Sequence, residues 1–294
     1  MKALLLENIH SEAVRALEGR GYQVELRSGA LGEAELADAL EGVELLGIRS
    51  RTHITGTVLK AHPQLLAVGA FCIGTNQIDL PAAAAAGVAV FNAPYSNTRS
   101  VVELALGEII TMARRLGDKN ASMHAGIWDK SANGSHEVRG RTLGIVGYGN
   151  IGSQLSVLAE AMGMKVYFYD VVDRLALGNA TRVDSMQELF ETCETISLHV
   201  DGRASNARLI GEREFAQMRP RTLFLNLCRG NVGDVDALAA ALQSGHIAGA
   251  AVDVFPDEPK SKDELFVSPL QGISNVILTP HVGGSTLEAQ VDIG

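Results

Sequence analysis

Short apolar runs alternate with longer amphipathic stretches along almost the whole chain, and this alternation sets the expected elements. In the first hundred or so residues, strands are expected at 2–6, 23–27, 45–48, 65–69 and 88–91. Helical segments are expected between them at 12–18, 33–40 and 82–86. A longer helix follows at 100–114, where Val101, Leu104, Ala105, Ile109 and Met112 recur at the spacing that stacks side chains on one helix face. After a polar stretch at 126–140 a second series begins, with strands expected at 142–146, 166–169, 195–200, 222–227, 247–254 and 276–278. Strands that alternate with helices imply βαβ units and parallel sheets, because a parallel pair needs a long crossover. The expected fold class is therefore α/β, in two halves that meet near residues 96–100.

The 294 residues suffice for two ordinary domains, each with its own core. A formal net charge of −9 argues against nucleic acid or an anionic membrane as a partner. It leaves room for a small anion held by local arginines. The first six residues, Met1-Lys2-Ala3-Leu4-Leu5-Leu6, briefly resemble a leader, but Glu7 ends the run and no small-residue cleavage site follows. No stretch approaches the roughly 20 apolar residues of a membrane span. The three cysteines, Cys72, Cys193 and Cys228, are odd in number, far apart and without metal-ligand spacing. A reducing cytoplasm and no metal are expected.

Candidate chemistry begins at the strand 142–146, which runs into Gly147-Tyr148-Gly149-Asn150-Ile151-Gly152 before a helix expected at 154–162. In a G-x-G-x-x-G turn the first glycine allows the tight bend, the second lets backbone approach a pyrophosphate, and the third lets helix pack on strand. The helix N-terminus adds amide donors and a positive dipole end. The next strand ends at Asp170, placed to accept the ribose hydroxyls of an adenosine. A carboxylate there repels a 2′-phosphate, so NAD is expected rather than NADP, although Arg174 lies close in sequence. No kinase catalytic-loop or metal motif accompanies the glycines.

Three later strand ends carry Arg229, Glu258 and His281. Strand C-termini line the ligand crevice of an open parallel sheet. Oxidising an alcohol by hydride transfer needs a base for the hydroxyl proton, and histidine suits that role near neutral pH. A carboxylate on its other nitrogen fixes the tautomer and favours the imidazolium. A cation can hold a substrate carboxylate and polarise the carbonyl. Singly, each residue also has a structural reading: a turn before Pro259 for Glu258, a strand cap for Arg229. His199, which ends the strand before Val200, could line the cofactor crevice or sit in the core.

These residues, with Gly47-Ile48-Arg49-Ser50-Arg51-Thr52, Phe71-Cys72-Ile73-Gly74-Thr75-Asn76, Asn92-Ala93-Pro94-Tyr95-Ser96-Asn97-Thr98-Arg99-Ser100 and Pro280-His281-Val282-Gly283-Gly284, resemble the D-isomer-specific 2-hydroxyacid dehydrogenases. The N-terminal stretches look like the branch that acts on a phosphorylated glycerate. The resemblance implies two Rossmann-like, doubly wound parallel-sheet domains. A substrate domain of residues 1–96 plus 282–294 is expected, with a nucleotide domain inserted at 97–281. Arg229 is implied as the substrate-orienting cation, Glu258 as the histidine's partner and His281 as the acid/base. NAD is implied on Gly147, Gly149, Asn150, Ile151, Gly152 and Asp170, with His199, Leu227, Cys228, Asp253, Gly283 and Gly284 completing its site.

Substrate contacts are implied at Arg49, Ser50, Gly74, Asn97 and Thr98. The implied reaction is NAD-dependent oxidation of 3-phospho-D-glycerate to 3-phosphohydroxypyruvate, on the route to L-serine. The alternatives are another D-2-hydroxy acid, or an NAD-sensing corepressor-like module. A homodimer or homotetramer is implied, with the segment 123–128 as a contact. The sequence departs from the family pattern at Asp201, Cys228 and Gly233, and no C-terminal regulatory domain of the ACT type is expected. A thiol beside Arg229 should have a lowered pKa, so Cys228 is expected to be reactive.

Overall fold

The first series of apolar runs forms a five-stranded parallel sheet in the computed structural model, which describes residues 1–259 and 264–294. Its elements run β1 (Lys2–Leu5), α1 (Ser11–Glu18), β2 (Gln23–Leu26), α2 (Glu33–Ala39), β3 (Leu45–Ile48), α3 (Gly56–Ala61), β4 (Ala67–Ala70), α4 (Leu80–Ala85) and β5 (Ala89–Asn92). The strand order is β2-β1-β3-β4-β5. Successive residues of a strand point to opposite faces, and β1 shows the result. Leu4 joins a core with Leu36, Leu46, Val58 and Val68, while Leu5 joins Ile9 and Ala13 on the other side.

The second unit, Thr98–Gly284, opens with α5 (Thr98–Ala113) and α6 (Leu116–His124). It continues through β6 (Thr142–Val146), α7 (Asn150–Ala161), β7 (Lys165–Tyr169), β8 (Thr181–Arg182), α8 (Met186–Thr192) and β9 (Thr195–Leu198). Then follow α9 (Glu212–Gln217), β10 (Thr222–Asn226), α10 (Val235–Gln243), β11 (Ile247–Val252) and β12 (Val276–Leu278). Its seven strands are ordered β12-β11-β10-β9-β6-β7-β8, all parallel. Every residue of β9 and β10 is buried, as expected where helices cover both faces. α5 and α7 pack against Leu143, Ile145 and Leu225 on one face. α8, α9 and α10 bury Phe190, Phe215 and Leu238 against Ile196 and Phe224 on the other. Among the described residues, no helix is long and apolar enough to cross a membrane.

The chain then returns to the first unit, to which Ser285–Gly294 belong, through α11 (Leu287–Ile293). The expected boundary at 281/282 moves to 284/285 for a local reason: the Val282 and Gly283 amides donate to the Asp253 carboxylate, so these residues stay with the second unit. Several expected strands overran their ladders. Val200 and Val254 are apolar, but the last paired residues of their strands are Leu198 and Val252.

Candidate active site

Register assembles the site of the second unit. Val146 pairs with Tyr169 and Leu198, Asn226 with Leu198 and Val252, and Val252 with Leu278. The parallel strands therefore end level, and Gly147, Asp170, His199, Leu227, Asp253 and Thr279 follow along one sheet edge.

At Gly147 the backbone takes φ +93°, and a Cβ there would lie 2.6 Å from the carbonyl oxygen of His199. A Cβ at Gly152 would lie 2.2 Å from the Gly147 carbonyl, so α7 meets the turn only because residue 152 has no side chain. Gly149 is different. Nothing lies within 4 Å of its Cβ position, and as N-cap of α7 it makes no side-chain capping bond. The space beside Gly149 is open and no side chain caps the first turn of α7, which begins at Asn150 and Ile151; both suit a pyrophosphate. Asp170 Oδ2 accepts the Tyr148 N–H at 2.8 Å, and Oδ1 accepts that of Val172 at 2.8 Å. Arg174 Nε stands 3.7 Å from Oδ2, so this arginine is drawn toward the acid. His199 Nε2 lies 2.8 Å from Ser197 Oγ, and its buried Nδ1 has no partner among the described residues. Burial pushes this imidazole down to about 4, which keeps it neutral at physiological pH.

The loop after β12 carries His281 in left-handed backbone, φ +54°. A non-glycine residue there costs roughly 1–2 kcal/mol, and Asp253, 1% exposed, supplies the restraint. Its carboxylate accepts Thr279 Oγ1 at 2.6 Å, Val282 N–H at 2.8 Å and Gly283 N–H at 2.8 Å, while its carbonyl accepts the His281 N–H at 2.8 Å. A Cβ at Gly283 would lie 2.9 Å from Asp253 Oδ2, so that position must be glycine for the carboxylate to come so close. Gly284 closes the unit. The Asp253 side chain thus braces this loop.

His281 and Glu258 meet: Nδ1 is 2.9 Å from Oε2. Glu258 is itself placed by the Phe255 N–H, 3.2 Å from Oε1. The hydrogen bond to Glu258 raises the His281 pKa above its ordinary value, against the opposing effect of burial. Burial pushes Glu258 upward, but the hydrogen bond and attraction from His281 outweigh it and hold the carboxyl below its usual range. Arg229 bonds to neither. Its Nη1 donates to the Cys228 carbonyl at 2.7 Å, yet its charge acts on both, lowering Glu258 and His281 alike. A Cβ at Gly230 would come within 2.0 Å of Phe255 backbone, so the Arg-Gly pair is packed directly under the segment leading to Glu258.

Cys228 corrects an expectation. Its thiol is buried, Sγ lies 3.2 Å from Asn226 Oδ1, and burial pushes it up to about 11 despite the neighbouring arginine. Desolvation of the thiolate outweighs the cation, so the thiol stays protonated at neutral pH rather than becoming a reactive thiolate. Leu227 beside it is also buried.

In the first unit, Arg49 and Ser50 follow β3 directly, and Gly74 lies in the loop after β4. Asn97 is the last residue before the second unit, and Thr98 opens α5. Two organising side chains were not singled out from sequence. Glu7 accepts the N–H groups of Arg49, Arg51 and Thr52, and Gln77 donates to the Arg49 carbonyl. The residues of the 49–52 loop that they hold lie 28 to 45 residues away, so no local pattern marks these contacts.

The family model "D-isomer specific 2-hydroxyacid dehydrogenase, NAD binding domain" matches residues 106–283. The D-3-phosphoglycerate dehydrogenase of Haemophilus influenzae is 52% identical over all of this chain and 72% of its own length. The Escherichia coli enzyme of the same name is 49% identical over the same shares. Among solved structures, D-lactate dehydrogenase from Aquifex aeolicus, complexed with NAD and lactic acid, superposes with a TM-score of 0.87 at 25% identity, covering 99% of this chain and 91% of that one. The chain belongs to the D-isomer specific 2-hydroxyacid dehydrogenases.

Proposed function

We propose that this NAD-dependent dehydrogenase oxidises 3-phospho-D-glycerate to 3-phosphohydroxypyruvate, the entry reaction of the phosphorylated route to L-serine. The observation that carries the chemistry is the 2.9 Å contact between His281 Nδ1 and Glu258 Oε2, with the Arg229 charge acting on both. The choice of substrate is supported by the relatives' names at about half identity over the whole chain and by the arginine loop after β3.

In this reading Glu258 occupies Nδ1 and leaves the lone pair on Nε2. That nitrogen takes the proton of the C2 hydroxyl and ends the step as imidazolium, whose charge Glu258 stabilises. Arg229 holds the substrate carboxylate and polarises the forming carbonyl oxygen. NAD, when bound, would supply the acceptor for the hydride leaving C2. Gly147, Gly149, Asn150, Ile151 and Gly152 would hold its pyrophosphate and Asp170 its ribose. His199, Leu227, Cys228, Asp253, Gly283 and Gly284 would wall or brace the rest. Arg49, Ser50, Gly74, Asn97 and Thr98 would contact the substrate. Because the histidine must start neutral to act as base, oxidation accelerates as pH rises through its raised pKa.

The reading includes the cytoplasm as compartment and a homodimer or homotetramer as the working form. The exposed Met123, Ile127 and Trp128 support the latter, since large apolar groups clustered on a surface favour association. Light scattering of the purified protein tests it, and a monomer at micromolar concentration would remove it. The decisive assay follows NADH absorbance with a panel of 2-hydroxy acids. Turnover is expected with 3-phospho-D-glycerate at a kcat/KM far above that for D-lactate or glycolate. Equal or better use of an unphosphorylated acid would overturn the choice of substrate.

A further inference from the structure

The backbone of residues 49–52 leaves the sheet at the end of β3 and enters partly buried surroundings, with Thr52 fully buried. Amide groups there need partners, because an unpaired buried N–H is costly. One side chain supplies three. Glu7 Oε1 accepts from Arg49 N at 3.2 Å and Thr52 N at 2.9 Å, and Oε2 accepts from Arg51 N at 3.0 Å. Glu7 is 4% exposed and is fixed in left-handed backbone, φ +60°, with its own N–H donated to the Gly29 carbonyl.

Gln77, also 4% exposed, completes the arrangement from the loop after β4. Its Nε2 donates to the Arg49 carbonyl at 2.7 Å and to the Gly74 carbonyl at 3.2 Å. An extended bridge between Ile54 and Ile78 ties the same two loops together beside it. Both polar groups of the Arg49 peptide are therefore held by buried side chains. Its guanidinium, in contrast, has no hydrogen bond or ion pair among the described residues, whereas Arg51 Nε lies 3.8 Å from Glu7 Oε2. A rigidly mounted arginine with an uncommitted head group is what recognition of a small oxyanion requires.

We propose that Glu7 and Gln77 are positioning residues for the substrate anion, fixing the Arg49 and Gly74 backbones so that the Arg49 guanidinium meets the phosphorylated acid already aimed. This rests on the reading of Arg49 as a substrate contact. Neither residue touches the reacting atoms; each acts through the loop.

The test is steady-state kinetics with 3-phospho-D-glycerate and NAD on Glu7→Gln, Gln77→Leu, Arg49→Ala and the double variant Glu7→Gln/Arg49→Ala. Glu7→Gln turns one acceptor oxygen into a donor facing an N–H. It is expected to raise the substrate KM about tenfold, the worth of one hydrogen bond to a charged group, with kcat within about threefold and the KM for NAD unmoved. Gln77→Leu should shift KM in the same sense, and it serves if Glu7→Gln does not fold. In the double variant, KM should stay within about twofold of Arg49→Ala alone, because residues acting through one another are not additive. Additive effects, or an unchanged KM in folded Glu7→Gln and Gln77→Leu, overturn the positioning role while leaving Arg49 as a contact. An unchanged KM in Arg49→Ala overturns the contact itself and the positioning role with it.

Discussion

Glu108→Gln is expected to stabilise the protein increasingly as pH rises. Glu108 lies on α5, one turn beyond Leu104, and is 4% exposed. Both its carboxyl oxygens are buried without a partner among the described residues. Burial, and next the negative charge of Asp253, raise its pKa from 4.5 to about 8. The folded chain thus keeps this acid neutral while the unfolded chain ionises it. A carboxyl raised in the folded state removes stability as pH climbs from its unfolded value toward its folded one. At about 1.4 kcal/mol per pH unit, the interval from 4.5 to about 8 caps the loss at roughly 5 kcal/mol. Between about pH 5 and about pH 8 the same relation gives a change of about 3 kcal/mol. Glutamine has nearly the same shape and cannot ionise, so the variant lacks this dependence. Urea unfolding of both proteins at a series of pH values measures it. The two stabilities should differ by about 1 kcal/mol near pH 5 and by about 4 kcal/mol near pH 8, with the variant the more stable. Parallel curves would show that Glu108 is hydrated or charged in the folded protein and would refute the reasoning.

Four further outcomes are expected. Asp253→Asn replaces an acceptor by a donor against Val282 or Gly283, so kcat should fall at least tenfold while the unfolding free energy drops by about 2 kcal/mol; an unaltered kcat would mean the loop needs no brace. Gly147→Ala adds a Cβ 2.6 Å from the His199 carbonyl in left-handed backbone, and fluorescence titration should find NADH affinity weakened at least tenfold, in line with overpacking costs of about 1–3 kcal/mol. In Glu258→Gln the hydrogen bond that raises His281 is weakened, so the rising limb of the oxidation pH profile should move to lower pH; a limb that stays in place would assign it to another group. Cys228 should resist iodoacetamide in the folded protein and react only in denaturant, as read by peptide mass spectrometry, since its thiol is pushed up to about 11.

The sequence revealed most where chemistry and local spacing coincide. The turn at Gly147 and the acid at Asp170 follow consecutive strands, so their meeting near Tyr148 could be anticipated from order alone. His281 and Glu258 could be paired because both follow strands of one parallel sheet, and register then brings those ends level. Short helices escaped. α9 buries only Phe215 and α6 buries nothing, so neither carries an apolar stripe to read. α10 left a usable signal, Asp234 capping an apolar run. Glu7 was legible only as the residue that ends the first strand's apolar run, because its partners lie more than 40 residues away. The error at Cys228 had a different source: sequence places a cation beside the thiol but does not disclose how deeply the thiol is buried.

The two ends of the second unit touch. A Cβ at Gly283 would lie 3.6 Å from Val101 Cγ2 and 3.7 Å from Leu104 Cδ2, at the opening of α5. A segment whose entry and exit points lie side by side can be inserted into a host chain without stretching the host at the splice. The five strands of the first unit's sheet have all passed by Asn92, and α11 joins that unit only after Gly284. A ribosome therefore releases the whole of Thr98–Gly284 before α11 has been made. The inserted segment can therefore begin to fold while the unit that flanks it in sequence still awaits α11.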